Sequence, residues 1–408
     1  MEARFHEGCR RQTSRHGPPR IRCGHHQRDV TVTHYGFLST FPPTRCGLAT
    51  FTQSLADALV RGDDEHGTIV RVLDEPADRS PHDTRARSTV RTDLIAGDRL
   101  STMRAIMALN ACDVAIVQHE YGIYGGHDGD QVLEVLSAVD TPTIVVLHTV
   151  LVTPTRHQRE VLEDVCRLAS LVVVMTTHAR DNLAAVYAVD LTRVRVIPHG
   201  VNHVGLRESQ PHSGRRVVTW GLLSPGKGIE WGIRAVAQLA DMTPRVEYVV
   251  AGQTHPKVLA HAGEGYRTML TDLADELDVG SALRIDGRYL DAPQLAALIA
   301  SADAVLLPYD SVDQATSGVL AEAVAAGVPV VATAFPHAVE LLSTGAGTVV
   351  PHHDPDSIAG ALREIFDGSS VADRMREAAL RETNGTTWSA VADRYRVLTA
   401  ELVAAQAA

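Results

Sequence analysis

Residues 217–228, VVTWGLLSPGKG, open on a β-branched apolar run and close on a glycine-rich turn. They read as a buried strand feeding a helix. The same unit recurs on the C-terminal side, where VEYVVAG (246–252), LRIDGR (283–288), AVLLPY (304–309), VPVVAT (328–333) and TVV (348–350) are separated by helix-length segments. Toward the N-terminus lies the polar stretch NHVGLRESQPHSGRR (202–216), read as an interdomain linker. Before it the alternation is repeated by VTVTHYGFL (30–38), TIVRVLD (68–74), DVAIVQHE (113–120), TIVVLH (143–148), LVVVM (171–175) and VRVIPHG (194–200). Strands alternating with helices predict parallel βαβ units, hence two doubly wound α/β domains with the default ligand site in the cleft between them. The expected divisions are an Arg-rich tail without periodicity (1–29), a first α/β domain (30–205), a second α/β domain (206–385) and a C-terminal helix (386–408). In that helix Trp388, Val391, Tyr395, Leu398 and Leu402 share one face, and the helix is expected to pack back on the first domain.

Composition narrows the function classes. The 408 residues carry a formal charge of −11, which argues against a nucleic-acid-coating surface. No apolar run approaches the ~20 residues of a membrane-spanning helix, leaving only peripheral membrane contact open. Five cysteines without tight pairs suit a reducing cytoplasm. Cys9, Cys23, His25 and His26 match no common zinc-module spacing. Of 38 basic residues only Lys227 and Lys257 are lysine.

That scarcity gives Lys227 weight. In the turn GLLSPGKG (221–228) glycine permits close backbone approach, a helix N-terminus favours an anion, and a compact ammonium supplies a point charge for phosphate. The turn is not a Walker A loop, because Gly228 follows the lysine. A second candidate is DQATSGVLAEAVAAGVPVVAT (313–333), where a helix opening near Ser317 and Gly318 offers backbone N–H groups and Glu322 stands one turn in, placed to accept from a ribose diol.

Several segments taken in order, PPTRCGLATFTQSLADAL (42–59), VVLHT (145–149), RVIPHGV (195–201), GLLSPGKG, DGRYLDAPQLAALIASADAVLLPY (286–309) and SGVLAEAVAAGVPVVAT (317–333), resemble the retaining glycosyltransferases of family 4 with the two-domain GT-B fold. HEYGIYGGHDG (119–129) and LVTPTRHQREVLE (151–163) resemble a bacterial mannosyl- or glucosyltransferase subgroup. The resemblance implies a donor of the GDP-mannose or UDP-glucose type, a carbohydrate or glycoconjugate acceptor, and no cofactor or metal. It implies a donor-binding set of Gly47, Lys227, Gln314, Ser317, Gly318, Val319 and Glu322, with Lys227 on the diphosphate and Glu322 on the ribose. His148 would face the donor sugar near the reacting centre, making His148 and Lys227 the catalytic pair. Arg45, His119 and Glu120 are the acceptor-side candidates.

Two positions depart from the family pattern. Gln314 stands where relatives carry the first Glu of a Glu-x7-Glu pair, so residue 314 is no general base or nucleophile. Leu222 stands where relatives often carry Arg, which leaves one phosphate cation to be supplied by Arg45 or another arginine. The D-x-D of Asp128 and Asp130 reads as helix-cap chemistry beside a glycine turn rather than as a metal motif. The expected activity is retaining hexosyl transfer. A sugar-nucleotide epimerase or hydrolase and a non-catalytic sugar-nucleotide binder are the rivals.

Overall fold

The computed structural model describes residues 34–76, 87–202, 215–383 and 385–406. The Arg-rich stretch with Cys9, Cys23, His25 and His26, and most of the polar linker, lie outside the described residues.

The first lobe is built on β1 (His34–Ser39), β2 (His66–Leu73), β3 (Ser88–Ile95), β4 (Val114–His119), β5 (Thr143–Leu147), β6 (Leu171–Val174) and β7 (Val194–Val196). The second carries β8 (Arg215–Trp220), β9 (Val246–Ala251), β10 (Leu283–Asp286), β11 (Ala304–Leu307), β12 (Val330–Thr333) and β13 (Gly347–Val350). Both sheets are parallel throughout, in the orders β3-β2-β1-β4-β5-β6-β7 and β10-β9-β8-β11-β12-β13. Each order reverses direction once, between β1 and β4 in one lobe and between β8 and β11 in the other. Loops leaving those strands diverge there and leave a crevice for a ligand.

Eleven of the twelve expected strand segments, 68–74 through 348–350, are found within a few residues, and the described part of the twelfth, 34–38, forms β1. The expected pattern lacked β3. Its sequence STVRTDLI is apolar mainly at its end, and Thr89, Val90, Arg91 and Thr92 lie outside the buried set, as suits a sheet edge. Between β4 and β5 the helix is short, Gln131–Leu136.

The helix Trp388–Gln406 belongs to the first lobe's core. Thr387 caps it by accepting from the Ala390 N–H at 3.2 Å. Trp388, Val391, Ala392, Tyr395 and Leu398 then pack with Phe37, Phe51, Leu55 and Ile116 on one face of the first sheet. Each large apolar side chain so buried contributes about 1.5–3 kcal/mol. Arg396 fastens the same helix to Glu65 at 2.7 Å, which holds that carboxyl down to about 2. Where the chain returns, Val201 donates to the Thr386 carbonyl at 2.8 Å and accepts from Trp388 at 3.1 Å, so the outgoing and returning strands of chain run side by side.

Candidate functional site

The two crevices bring together the segments that follow β1, β4, β5, β8 and β11. On the second lobe, the turn after β8 requires glycine at 228, where φ is 62° and a Cβ would lie 1.8 Å from the Pro308 carbonyl oxygen. Gly228 is also the N-cap of the helix Ile229–Ala237, so the turn ends on unsatisfied N–H groups. Beside it the Lys227 ammonium lies 4.2 Å from the centre of the Tyr309 ring. Among the described residues Lys227 makes no ion pair. A cation–π contact is worth about 0.5–2 kcal/mol, whereas hydrogen bonds to charged groups reach about 1.5–3, so the ring contact leaves the ammonium available to an anion.

Parallel to this turn runs the segment after β9. Leu223 donates to the Gln253 carbonyl and His255 donates to the Leu223 carbonyl, both at 2.8 Å. Two further cations gather on that segment. Arg45, from the loop after β1, reaches across to Gln253 Oε1 at 3.4 Å and lies 5.2 Å from the centre of the Tyr289 ring. Lys257 reaches the other way, donating to the Gly122 carbonyl at 2.9 Å. Neither has a carboxylate ion pair among the described residues. A groove of about 340 Å³ lined by Arg288 and Leu290 flanks the Tyr289 segment, away from these ammonium groups.

The helix Gly318–Ala325 follows β11. Ser317 caps it, accepting from Leu320 N–H at 3.2 Å, while its own N–H donates to His337 Nδ1 at 2.8 Å. Both Ser317 groups are thus engaged, and Gly318 and Val319 are the donors at this helix start without an acceptor among the described residues. Gly318 is closely approached as well, since a Cβ there would stand 2.9 Å from His199 Nε2. Glu322, half-buried one turn on, accepts from Trp220 Nε1 at 3.3 Å, and burial raises its carboxyl. Gln314 donates through Nε2 to the Thr316 carbonyl at 2.6 Å, which steadies the loop and leaves Oε1 open.

The first lobe contributes imidazoles that burial keeps uncharged, together with the Glu120 carboxylate and the Arg45 guanidinium. His148 Nε2 donates to Gln118 Oε1 at 2.7 Å, leaving Nδ1 as acceptor, and its ring meets Phe51 edge-on at 4.8 Å. Burial, with His199 and His119 nearby, pushes His148 down to about 3. Gly47 opens the helix Gly47–Leu59, with open space where a Cβ would stand. His119 departs from its expected acceptor-side place: it is 0% exposed, with no hydrogen-bond partner on either ring nitrogen, and burial pushes it to about 4. Glu120 accepts from the Thr149 hydroxyl and from Tyr121 N–H, so its carboxylate organises the loop.

Two site residues escaped the sequence reading. His199 packs on Phe51 at 5.0 Å and against Gly318, joining the lobes. Lys257 was signalled by the same scarcity that singled out Lys227. The cap reading of the D-x-D does not hold for Asp130, which sits at the N-cap of Gln131–Leu136 without a side-chain cap bond.

Residues 207–382 match the family model described as glycosyl transferases group 1. The D-inositol 3-phosphate glycosyltransferase of a Nocardioides species is 30% identical over 265 residues, which are 59% of this chain and 56% of that one. Its namesake from Kineococcus radiotolerans is 29% identical over 255 residues, 57% of each. The chain thus spans just over half the length of the curated relatives it matches. In structure, sucrose-phosphate synthase from Thermosynechococcus elongatus superposes with a TM-score of 0.73 at 16% identity, covering 91% of this chain and 100% of that one. Anabaena HepE in complex with UDP and glucose gives 0.72 at 16%, covering 90% and 100%. The two lobes therefore form a GT-B fold, and the second of them matches the glycosyl transferases group 1 family.

Proposed function

We propose that this protein transfers a hexose, mannose or glucose, from a nucleotide-diphosphate sugar to a hydroxyl of a carbohydrate or glycoconjugate acceptor, with retention of anomeric configuration. The observation that carries this reading is that Lys227, on the turn after β8, and Arg45 and Lys257, at the segment after β9 beside it, make no carboxylate ion pair among the described residues, in a chain of net charge −11. Such cations await an anion from outside. As the glycosidic bond to the donor breaks, negative charge grows on the departing diphosphate. Lys227 and the N–H groups at the start of Ile229–Ala237 are preorganised to stabilise it. Arg45 takes the place of the arginine that Leu222 lacks. Glu322 accepts from the ribose hydroxyls, Gly318 and Val319 donate to donor oxygens, and the Gln314 amide holds a sugar hydroxyl. Gln314 cannot form a covalent glycosyl intermediate, so the acceptor hydroxyl attacks on the face the leaving group departs from and passes its proton to the departing phosphate oxygen. His148, neutral at pH 7, holds sugar hydroxyls rather than moving a proton. No metal is assigned to the diphosphate, and the site of action is cytoplasmic.

The test is a panel of UDP- and GDP-sugars scored by thermal stabilisation, followed by transfer to inositol phosphate and sugar phosphate acceptors in excess EDTA. A ligand at 100 times its Kd adds about 2.7 kcal/mol. One donor is expected to stabilise the protein and to yield a product whose anomeric signal matches the donor. Absence of stabilisation by every donor overturns the reading. Donor turnover without acceptor assigns an epimerase or hydrolase, and an inverted product overturns retention.

A further inference from the structure

The loop after β4 holds a group of side chains that the transfer chemistry does not use. His127 and Asp128 lie in a short 3-10 turn, and His157 lies in the first turn of the helix Arg156–Leu168. His127 Nδ1 and His157 Nδ1 are 2.8 Å apart, and Asp128 Oδ2 is 3.2 Å from the first and 3.0 Å from the second. Three polar atoms therefore converge in a triangle.

With Asp128 ionised, hydrogens cannot satisfy that triangle. Each imidazole Nδ1 either carries a hydrogen or presents a lone pair, never both. If both donate to Asp128, two N–H groups collide across the short N···N edge. If one donates to the other, the acceptor nitrogen turns its lone pair on the carboxylate. A single cation over the face of the triangle satisfies all three atoms at once, at about 2.0–2.2 Å from each. Two imidazoles and one carboxylate suit a first-row transition metal such as zinc better than magnesium or calcium, which prefer all-oxygen sets.

The surroundings are built to the same end. Asp128 adopts φ 51°, uncommon for a residue other than glycine, and this conformation turns its carboxylate into the cluster. Gln158 Nε2 donates to the other carboxylate oxygen at 3.3 Å. Asp130 Oδ2 stands 3.7 Å from His157 Nε2, the far nitrogen of the ligand ring, where a carboxylate orients a metal-bound imidazole. The geometry points to a divalent transition-metal site formed by His127, Asp128 and His157, with Asp130 as positioning residue. Such an ion ties the loop carrying Glu120 and Gly122 to the helix Arg156–Leu168, reinforcing the hydrogen bond from the Tyr121 hydroxyl to the Gln158 carbonyl at 3.2 Å. The inference is independent of the transferase reading.

The experiment uses the full chain stripped with chelator and dialysed against zinc chloride or cobalt chloride, with bound metal counted per chain. One equivalent is expected, accompanied by a rise in Tm. Asp130→Asn is expected to weaken zinc binding roughly 10–100-fold. His127→Ala and His157→Ala are expected to lose more, and Asp128→Asn likewise. Tm in EDTA, equal for wild type and variant, shows that a lost ion reflects lost ligands and not lost fold. For any variant that does not fold, X-ray absorption of the zinc-loaded wild type decides, with two imidazoles expected in the first shell. Stoichiometry unchanged in the His127→Ala/His157→Ala protein, a wild type that binds no ion, or a spectrum without two imidazoles overturns the site.

Discussion

The two walls of the cleft are made from the same kind of loop on the same kind of sheet, yet their chemistry is opposite. The second-lobe wall carries Lys227, Glu322 and two glycines pressed against carbonyl or imidazole atoms, and its cation has no counter-ion among the described residues. The first-lobe wall carries His148, with the fully buried His119 behind it, and burial holds both neutral. The turn after β8 thus offers a positive point charge, whereas the first-lobe histidines add none. Electrostatic interactions are strongest where water and competing charges are kept away.

The comparison breaks most sharply at Lys227. Lys227→Ala is expected to cost about 2–4 kcal/mol of transition-state stabilisation, some 30- to 1,000-fold in kcat/KM, with Tm unchanged since only a ring contact is lost. Steady-state kinetics beside a melting curve separate the two; a fall in Tm with rate intact would make Lys227 structural. Arg45 bridges the walls, and Arg45→Ala is expected to cost about 1.5–3 kcal/mol in donor binding. Adding Leu222→Arg to that variant should restore much of the loss, and no recovery would separate the two cations.

The neutral wall is broken by acid. His148 and His337 are pushed down to about 3 and His119 and His199 to about 4, below the ~6.5 of an unfolded chain. As pH falls through 6.5 the unfolded chain takes up protons that the folded one refuses. Stability is therefore complete above about pH 6.5 and declines toward pH 4, by up to about 1.4 kcal/mol per pH unit for each histidine. His119→Leu should flatten that slope by one histidine's share, read from Tm between pH 7 and 5; an unchanged slope would show that His119 does not titrate on unfolding. The smallest effect concerns Gln314. Gln314→Ala is expected to weaken donor binding by about 0.5–1.5 kcal/mol, and Gln314→Glu to raise the donor KM by setting a carboxylate near the diphosphate. Indifference to both changes would remove Gln314 from the site.

Most of the fold was legible because strands buried on two faces announce themselves as apolar runs. β3 was not, since at a sheet edge the sequence STVRTDLI mixes polar and apolar residues without a clean period. At the site, the glycine turn and Lys227 were legible through local spacing and rarity. His199 and the buried state of His119 depend on how distant segments pack, and nothing in PHG or HEY signals it. The helix-cap reading of Asp128 and Asp130 failed for a related reason: His157 lies 29 residues beyond Asp128 and meets it only in the fold.

The placement of Trp388–Gln406 sets an order on synthesis. Trp388, Val391, Tyr395 and Leu398 fill the core beneath the sheet whose strands lie between His34 and Val196. Emerging from the ribosome, the N-terminal strands wait with an open apolar face while β8 to β13 are made. The lobe translated first is thus the last to close. An interrupted chain that lacks residues 388–406 exposes that face, and quality control can recognise the truncated product by it.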